Sequence, residues 1–130
     1  MRKIRIFAHI SLDGMIEAGG PNEDSDFANG KWSAPFRTAA GAAALAEAQG
    51  KRFDLLLGRR TYDIFAGYWP KVENDPIADG LNAATKYVAT HRPDSLGWGP
   101  VDDLGADIME GIRDVKSKDG SDLILSLIHI

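Results

Sequence analysis

Residues 55–65 read LLLGRRTYDIF, a stretch in which three leucines pass directly into a glycine and two adjacent arginines. Because the leucines at residues 55–57 form an unbroken apolar run, residues 53–57 are predicted to form a strand buried on both faces, as in a parallel sheet. Residues 61–66 have the character of the first turns of a helix. The stretch therefore predicts one strand–turn–helix unit of an α/β sheet, with two cations at the turn.

The turn itself, Gly58-Arg59-Arg60-Thr61, contains the residue types that bind phosphate. Glycine permits a tight turn, the first N–H groups of a helix lack partners, and guanidinium groups carry a fixed positive charge. The alternative is that Arg59 and Arg60 are solvated residues at a helix start. Because cations at a helix N-terminus oppose the helix dipole, the sequence favours a bound anion over that alternative.

The rest of the chain alternates between strand and helix patterns. Strands are predicted at residues 4–12, 85–90 and 122–126, and helices at residues 38–49, 75–84 and around 108–115. Residues 97–104 are ambiguous and could form an edge strand interrupted by Pro100. This alternation predicts a single α/β domain with a mostly parallel central sheet and flanking helices.

Composition limits the class of protein. The 130 residues carry a net charge of −4, so the chain as a whole repels nucleic acid and anionic membranes, and any anion site must be local. The absence of cysteine excludes a disulfide framework, a thiolate nucleophile and a cysteine-ligated metal. No apolar stretch is long enough for a signal peptide or a bilayer span, which predicts a cytoplasmic protein.

Two further strand ends carry polar side chains. Thr90, His91 and Arg92 follow the strand at residues 85–90 and could hold a second phosphate, although a polar turn closed by Pro93 is an equally good interpretation. Asp13, followed by glycine, ends the first strand, where local evidence alone favours a plain turn.

The histidines are weak candidates for chemistry. His9 lies within the predicted first strand, opposite its aliphatic residues, and a strand histidine is more often a hydrogen-bonded packing residue than a ligand. The three histidines show no metal-ligand spacing with one another or with the carboxylates. The sequence therefore predicts no metal site.

Three segments in this order resemble the dihydrofolate reductase-like superfamily: the first strand running into Ser11-Leu12-Asp13-Gly14, the stretch LGRRTY at residues 57–62, and THRP at residues 90–93. The chain is most similar to the reductase domain of bacterial riboflavin biosynthesis, the deaminase–reductase C-terminal domain. The resemblance implies a three-layer αβα fold that binds NADPH and transfers a hydride to a small pyrimidine- or pterin-like heterocycle.

The resemblance also implies how the cofactor is bound. The turn at residues 58–61 would hold its phosphates, with the arginine positions favouring the 2′-phosphate of NADPH. Thr90, His91 and Arg92 would flank the adenosine.

On the reaction side, the resemblance places Ala8 and His9 against the nicotinamide and Ile16 over it. His9 and Asp13 are the candidate catalytic residues, and the loop at residues 17–30 would cover the substrate. Folate reductases place a carboxylate in the first helix, whereas residues 35–40 contain none, so a substrate other than folate is expected.

The C-terminus departs from the family pattern. No glycine follows Ser126, whereas the family continues into a glycine turn, a helix and further strands. We therefore expect a C-terminally truncated chain that lacks the last helix and edge strands, and whose open edge would favour a homodimer. The missing glycine turn also supports a second hypothesis, a nucleotide-binding module of the same fold without catalysis. A ligand-sequestering protein is a third hypothesis, which the sequence does not distinguish from the second.

Overall fold

The computed structural model describes residues 1–8, 10–14 and 34–126. Within them, five strands form one sheet in the order β1-β5-β2-β3-β4, and every pairing is parallel. The strands are β1 (Ile4–Phe7), β2 (Asp54–Gly58), β3 (Lys86–Ala89), β4 (Val101–Asp103) and β5 (Leu123–Ser126). The α-helices of this part are α1 (Ala39–Gln49), α2 (Arg59–Tyr68), α3 (Pro76–Ala83) and α4 (Ile108–Ser117). The predicted α/β class is confirmed.

Apolar layers cover both faces of the sheet. On one face, Leu55 and Leu57 pack with residues of α2 and α3, including Tyr62 and Leu81. On the other face, Leu56 packs with Val115 of α4. Successive strand side chains point to opposite faces, so the three leucines of β2 supply both layers. This arrangement explains why residues 55–57 are all apolar, and it is compatible with three αβα layers.

Helix caps set the starts of three helices. Thr38, Asp75 and Asp107 accept backbone hydrogen bonds at the starts of α1, α3 and α4, respectively. The start of α2 differs, because its N-cap residue is Gly58, which has no side chain to serve as a cap. This helix begins at Arg59, two residues earlier than predicted, and both arginines therefore lie in its first turn.

The first strand is shorter than predicted. It ends at Phe7 instead of reaching residue 12, and beyond it Ile10 forms an isolated bridge. The aliphatic face of this segment is buried only at its start: Ile4 packs against the smaller apolar layer, whereas Ile6 is 64% exposed and Leu12 is fully exposed. Phe7, on the opposite face, packs against the larger apolar layer.

The ambiguous segment at residues 97–104 contains a short strand. Strand β4 begins directly after Pro100 and pairs with β3 alone, so it is an edge strand of the described sheet. This position agrees with the expectation for a strand that borders a proline. No helix among residues 1–8, 10–14 and 34–126 is long and apolar enough to cross a membrane.

Candidate functional site

The carboxyl ends of β2 and β3 lie side by side. Gly58 is in register with Ala89, so the turn that begins α2 lies next to the residues that follow β3. In a parallel sheet, this edge is where ligands bind, because loops and helix N-termini converge there. The structure thus brings together two of the three predicted groups, residues 58–61 and residues 90–92.

The amino end of α2 has no side-chain cap. The N–H groups of Arg59, Arg60 and Thr61 come before the first intrahelical hydrogen bond, and Gly58 provides no acceptor for them. A Cβ atom placed on Gly58 would meet no described atom within 4 Å, so the space beside the turn is open within the described part of the chain. N–H groups at a helix N-terminus can bind an anion.

Thr61 adds a buried polar group to this turn. The residue is only 8% exposed, and its hydroxyl makes no hydrogen bond within the described part of the chain. A buried hydroxyl without a partner is unfavourable unless something else completes its hydrogen bonding. A ligand at the amino end of α2 would provide that partner.

Arg59 is held by its own chain. Its Nε lies 2.8 and 2.9 Å from the two carboxylate oxygens of Asp63, one turn further along α2. Its Nη1 lies 3.2 Å from Thr90 Oγ1, 3.0 Å from the backbone oxygen of Arg92 and 2.8 Å from Ser95 Oγ. The Asp63 carboxylate therefore offsets one of the two cations that the helix dipole disfavours. Arg60 is exposed.

The residues after β3 form a compact polar turn. Thr90 is 9% exposed, and its hydroxyl accepts a hydrogen bond from the backbone N–H of Arg92 at 3.0 Å. His91 and Arg92 are exposed. The polar turn therefore forms, closed by the Thr90 side chain, and it also places an imidazole and a guanidinium beside the amino end of α2.

The residues that follow β1 lie further away. Ala8 and Asp13 come after a parallel strand of the same sheet, but β5 separates β1 from β2, a lateral distance of about 10 Å. Ala8 and Asp13 are both exposed. The backbone N–H of Gly14 donates to Ser11 at 3.0 Å and Gly14 has a φ of 89°, so a tight turn forms here. His9, Ile16 and the loop at residues 17–30 lie outside the described residues.

Asp13 is an acceptor in this turn. The Ser11 hydroxyl donates to its carboxylate, and this bond, together with one from the backbone N–H of Asp13, lowers the pKa of Asp13. The side chain remains ionised at neutral pH and can accept hydrogen bonds, whereas a proton donor needs a raised pKa.

Lys86 is a buried cation that the sequence analysis did not identify. It is fully buried at the start of β3, where its Nζ donates to the backbone oxygens of Asn82 (2.8 Å) and Gly99 (3.2 Å) and lies 4.1 Å from the centre of the Trp98 ring. Burial lowers the pKa of Lys86 to about 8. The residue belongs to the amino end of the strand, so it is not part of the candidate site.

Arg2 is a second buried cation at the amino end of the sheet. It is 4% exposed, forms an ion pair with Asp54, and lies over the Tyr87 ring with 5.3 Å between Cζ and the ring centre. The sequence shows only that Arg2 lies just before β1, which does not predict that its side chain is buried. Its partners come from distant parts of the chain.

No cluster of three or more histidine, aspartate or glutamate side chains that could hold a metal ion occurs within residues 1–8, 10–14 and 34–126. Comparison with models of known protein families finds no match to this chain, and a search of curated proteins likewise finds no significant relative.

Proposed function

We propose that this chain is an NADPH-dependent reductase with a dihydrofolate reductase-like fold, acting on a small pyrimidine- or pterin-like heterocycle, as in riboflavin biosynthesis. The observation that carries the proposal is the Thr61 hydroxyl in the uncapped first turn of α2: the residue is buried, and its hydroxyl has no hydrogen-bond partner among the described residues. A phosphate group would accept hydrogen bonds from both the hydroxyl and the N–H groups of the first turn. The position at the carboxyl edge of a parallel sheet further supports a nucleotide ligand.

The residues present fit the cofactor phosphates. The backbone N–H groups at residues 59–61 and the Thr61 hydroxyl would donate hydrogen bonds to phosphate oxygens, and Arg60 would add charge. Thr90, His91 and Arg92 lie beside this turn and would contact the adjoining part of the nucleotide. When bound, NADPH supplies the hydride, and the chain supplies binding, orientation and electrostatics.

Asp13 supports a second candidate function, a nucleotide-binding module without turnover. Its pKa is lowered, so it would orient a substrate by accepting a hydrogen bond instead of protonating it. Asp13 therefore does not serve as the proton donor of a reductase. Binding of NADPH without its oxidation would select the second candidate.

A fluorescence titration with NADPH and NADH tests the proposal. We expect wild-type protein to quench or shift NADPH fluorescence with a clear preference over NADH, and Arg59→Ala combined with Arg60→Ala to abolish that preference. The matched control is Lys51→Ala combined with Arg52→Ala, which removes two adjacent exposed cations just before β2, at the opposite edge of the sheet. Equal or absent binding of both cofactors by the wild-type protein would contradict the proposal.

A turnover assay separates the two candidates. NADPH absorbance is followed in the presence of a panel of pyrimidines and pterins. Oxidation that depends on one of these compounds supports the reductase. Retained NADPH binding with no oxidation across the panel supports the binding module.

A further inference from the structure

The Arg59 guanidinium connects two elements of the candidate site. Its Nε faces the Asp63 carboxylate within α2, and its Nη1 faces three oxygens of the segment that follows β3. The side chain is 20% exposed, and Cζ lies 6.0 Å from the centre of the buried Tyr62 ring. Five acceptor atoms thus surround the inner side of this guanidinium, and all of them belong to the chain itself.

The segment that Arg59 contacts has few other hydrogen bonds to the rest of the described chain. The remaining hydrogen bonds described for residues 91–95 run within the segment or to its immediate neighbours. The Arg92 N–H donates to Thr90, the Ser95 hydroxyl and N–H donate to Arg92, and the Leu96 N–H donates to Pro93. These bonds shape the turn, but they do not attach it to α2. In the described part of the chain, Arg59 makes the hydrogen bonds between α2 and residues 90–95. The chain just beyond is anchored by Leu96, which packs in the apolar layer, and by the N–H of Trp98, which donates to Tyr62 Oη of α2 at 2.6 Å.

We propose that Arg59 is a positioning residue: it holds the segment at residues 90–95, which carries His91 and Arg92, beside the amino end of α2. The inference rests on the proposed function in one respect, that the positioned groups contact the cofactor. A phosphate that bound the Nε edge of Arg59 would have to displace Asp63, which disfavours Arg59 as the cation that discriminates NADPH from NADH. The planar fork of arginine meets acceptors on two sides at once, which a lysine ammonium cannot do.

The first experiment measures backbone hydrogen exchange without cofactor. We expect Arg59→Gln and Arg59→Lys to increase exchange at residues 90–96 to a similar extent, because both variants lose the fork. Arg113→Gln, which removes an exposed cation from α4, should leave this segment unchanged. Unchanged exchange at residues 90–96 in both Arg59 variants would overturn the proposal, and this result does not depend on whether any cofactor binds.

The second experiment measures the affinity of the same variants for both cofactors. In these variants, residues 90–95 are no longer held by Arg59 and must become ordered when a cofactor binds. We therefore expect Arg59→Gln and Arg59→Lys to weaken the binding of NADPH and of NADH by a common factor of about 5 to 30. If Arg59→Lys keeps NADPH binding while Arg59→Gln loses it selectively, Arg59 is a phosphate ligand and the proposal is wrong. If wild-type protein binds neither cofactor, the proposed function fails, and the exchange experiment alone decides whether Arg59 holds the segment.

Discussion

Gly111 lies in the middle of α4, where intrinsic helix propensity and packing predict opposite effects of an alanine. Propensity alone predicts that Gly111→Ala stabilises the protein by about 1 kcal/mol. A Cβ atom at this position, however, would lie 2.0 Å from the backbone oxygen of Leu104, 2.9 Å from its carbonyl carbon and 3.0 Å from its Cβ. Either the helix or the Leu104 backbone must therefore move by at least 1 Å.

Neither element can move freely. The N–H of Leu104 donates to Val88 in β3 at 3.0 Å, and the Leu104 side chain is 5% exposed. Helix α4 packs through Val115 on Leu56 and Leu123, so its displacement would open that layer. Overpacking of this kind costs up to about 3 kcal/mol, and subtracting the gain in propensity leaves a net destabilisation of about 2 kcal/mol.

Urea denaturation followed by circular dichroism measures this effect. The matched control is Gly67→Ala in α2, where a Cβ atom meets no described atom within 4 Å. That variant should stabilise the protein by about 0.5–1 kcal/mol. If Gly111→Ala stabilises the protein as much as Gly67→Ala does, the close approach of α4 to Leu104 is wrong.

Three further predictions concern buried polar groups. Burial lowers the pKa of Lys86 to about 8, below its ordinary value of 10.5, so the unfolded chain binds more protons between these values. The free energy of unfolding should therefore rise by about 1–3 kcal/mol as the pH increases from 8 to 10.5; Lys86→Met should remove this rise in urea titrations at several pH values, and an unchanged profile would contradict the shift. Thr61→Val should keep or slightly raise the melting temperature, because the lost hydroxyl has no hydrogen-bond partner in the part of the chain that the structure describes, yet weaken NADPH binding about tenfold. Unaltered affinity in that variant would remove Thr61 from the site. Arg2→Met should cost about 3–5 kcal/mol of unfolding free energy by leaving Asp54 without its ion-pair partner, and Arg2→Met with Asp54→Leu should recover part of it. A double variant no more stable than the single one would argue against that coupling.

The period of the apolar residues was sufficient to predict the class of the fold. The run of leucines at residues 55–57 predicted a strand buried on both faces, and the alternation of strand and helix patterns predicted parallel pairing. The same reasoning overextended β1, because the alternation of apolar and polar residues continues to residue 12, whereas the chain already turns at residues 11–14.

The candidate site was predicted in part. The sequence placed cations at the turn after β2, and the register of β2 with β3 brought them beside residues 90–92. What local reasoning missed is that Arg59 already has a carboxylate partner. Asp63 stands four residues further along a helix, which is a signal the sequence contained. The contacts of Arg59 with Thr90 and Ser95 had no such signal.

By itself, the sequence determined the α/β class, the strand–turn–helix unit at residues 53–66 and the gathering of cations at one strand end. These features follow from local periodicity, turn chemistry and charge, which act between residues close in the chain. Only the tertiary structure decided which cations are buried and which groups hold them. Lys86 meets oxygens of Asn82 and Gly99, and Arg2 meets Asp54. Such pairings depend on the packing of elements distant in sequence, and no local pattern encodes that packing.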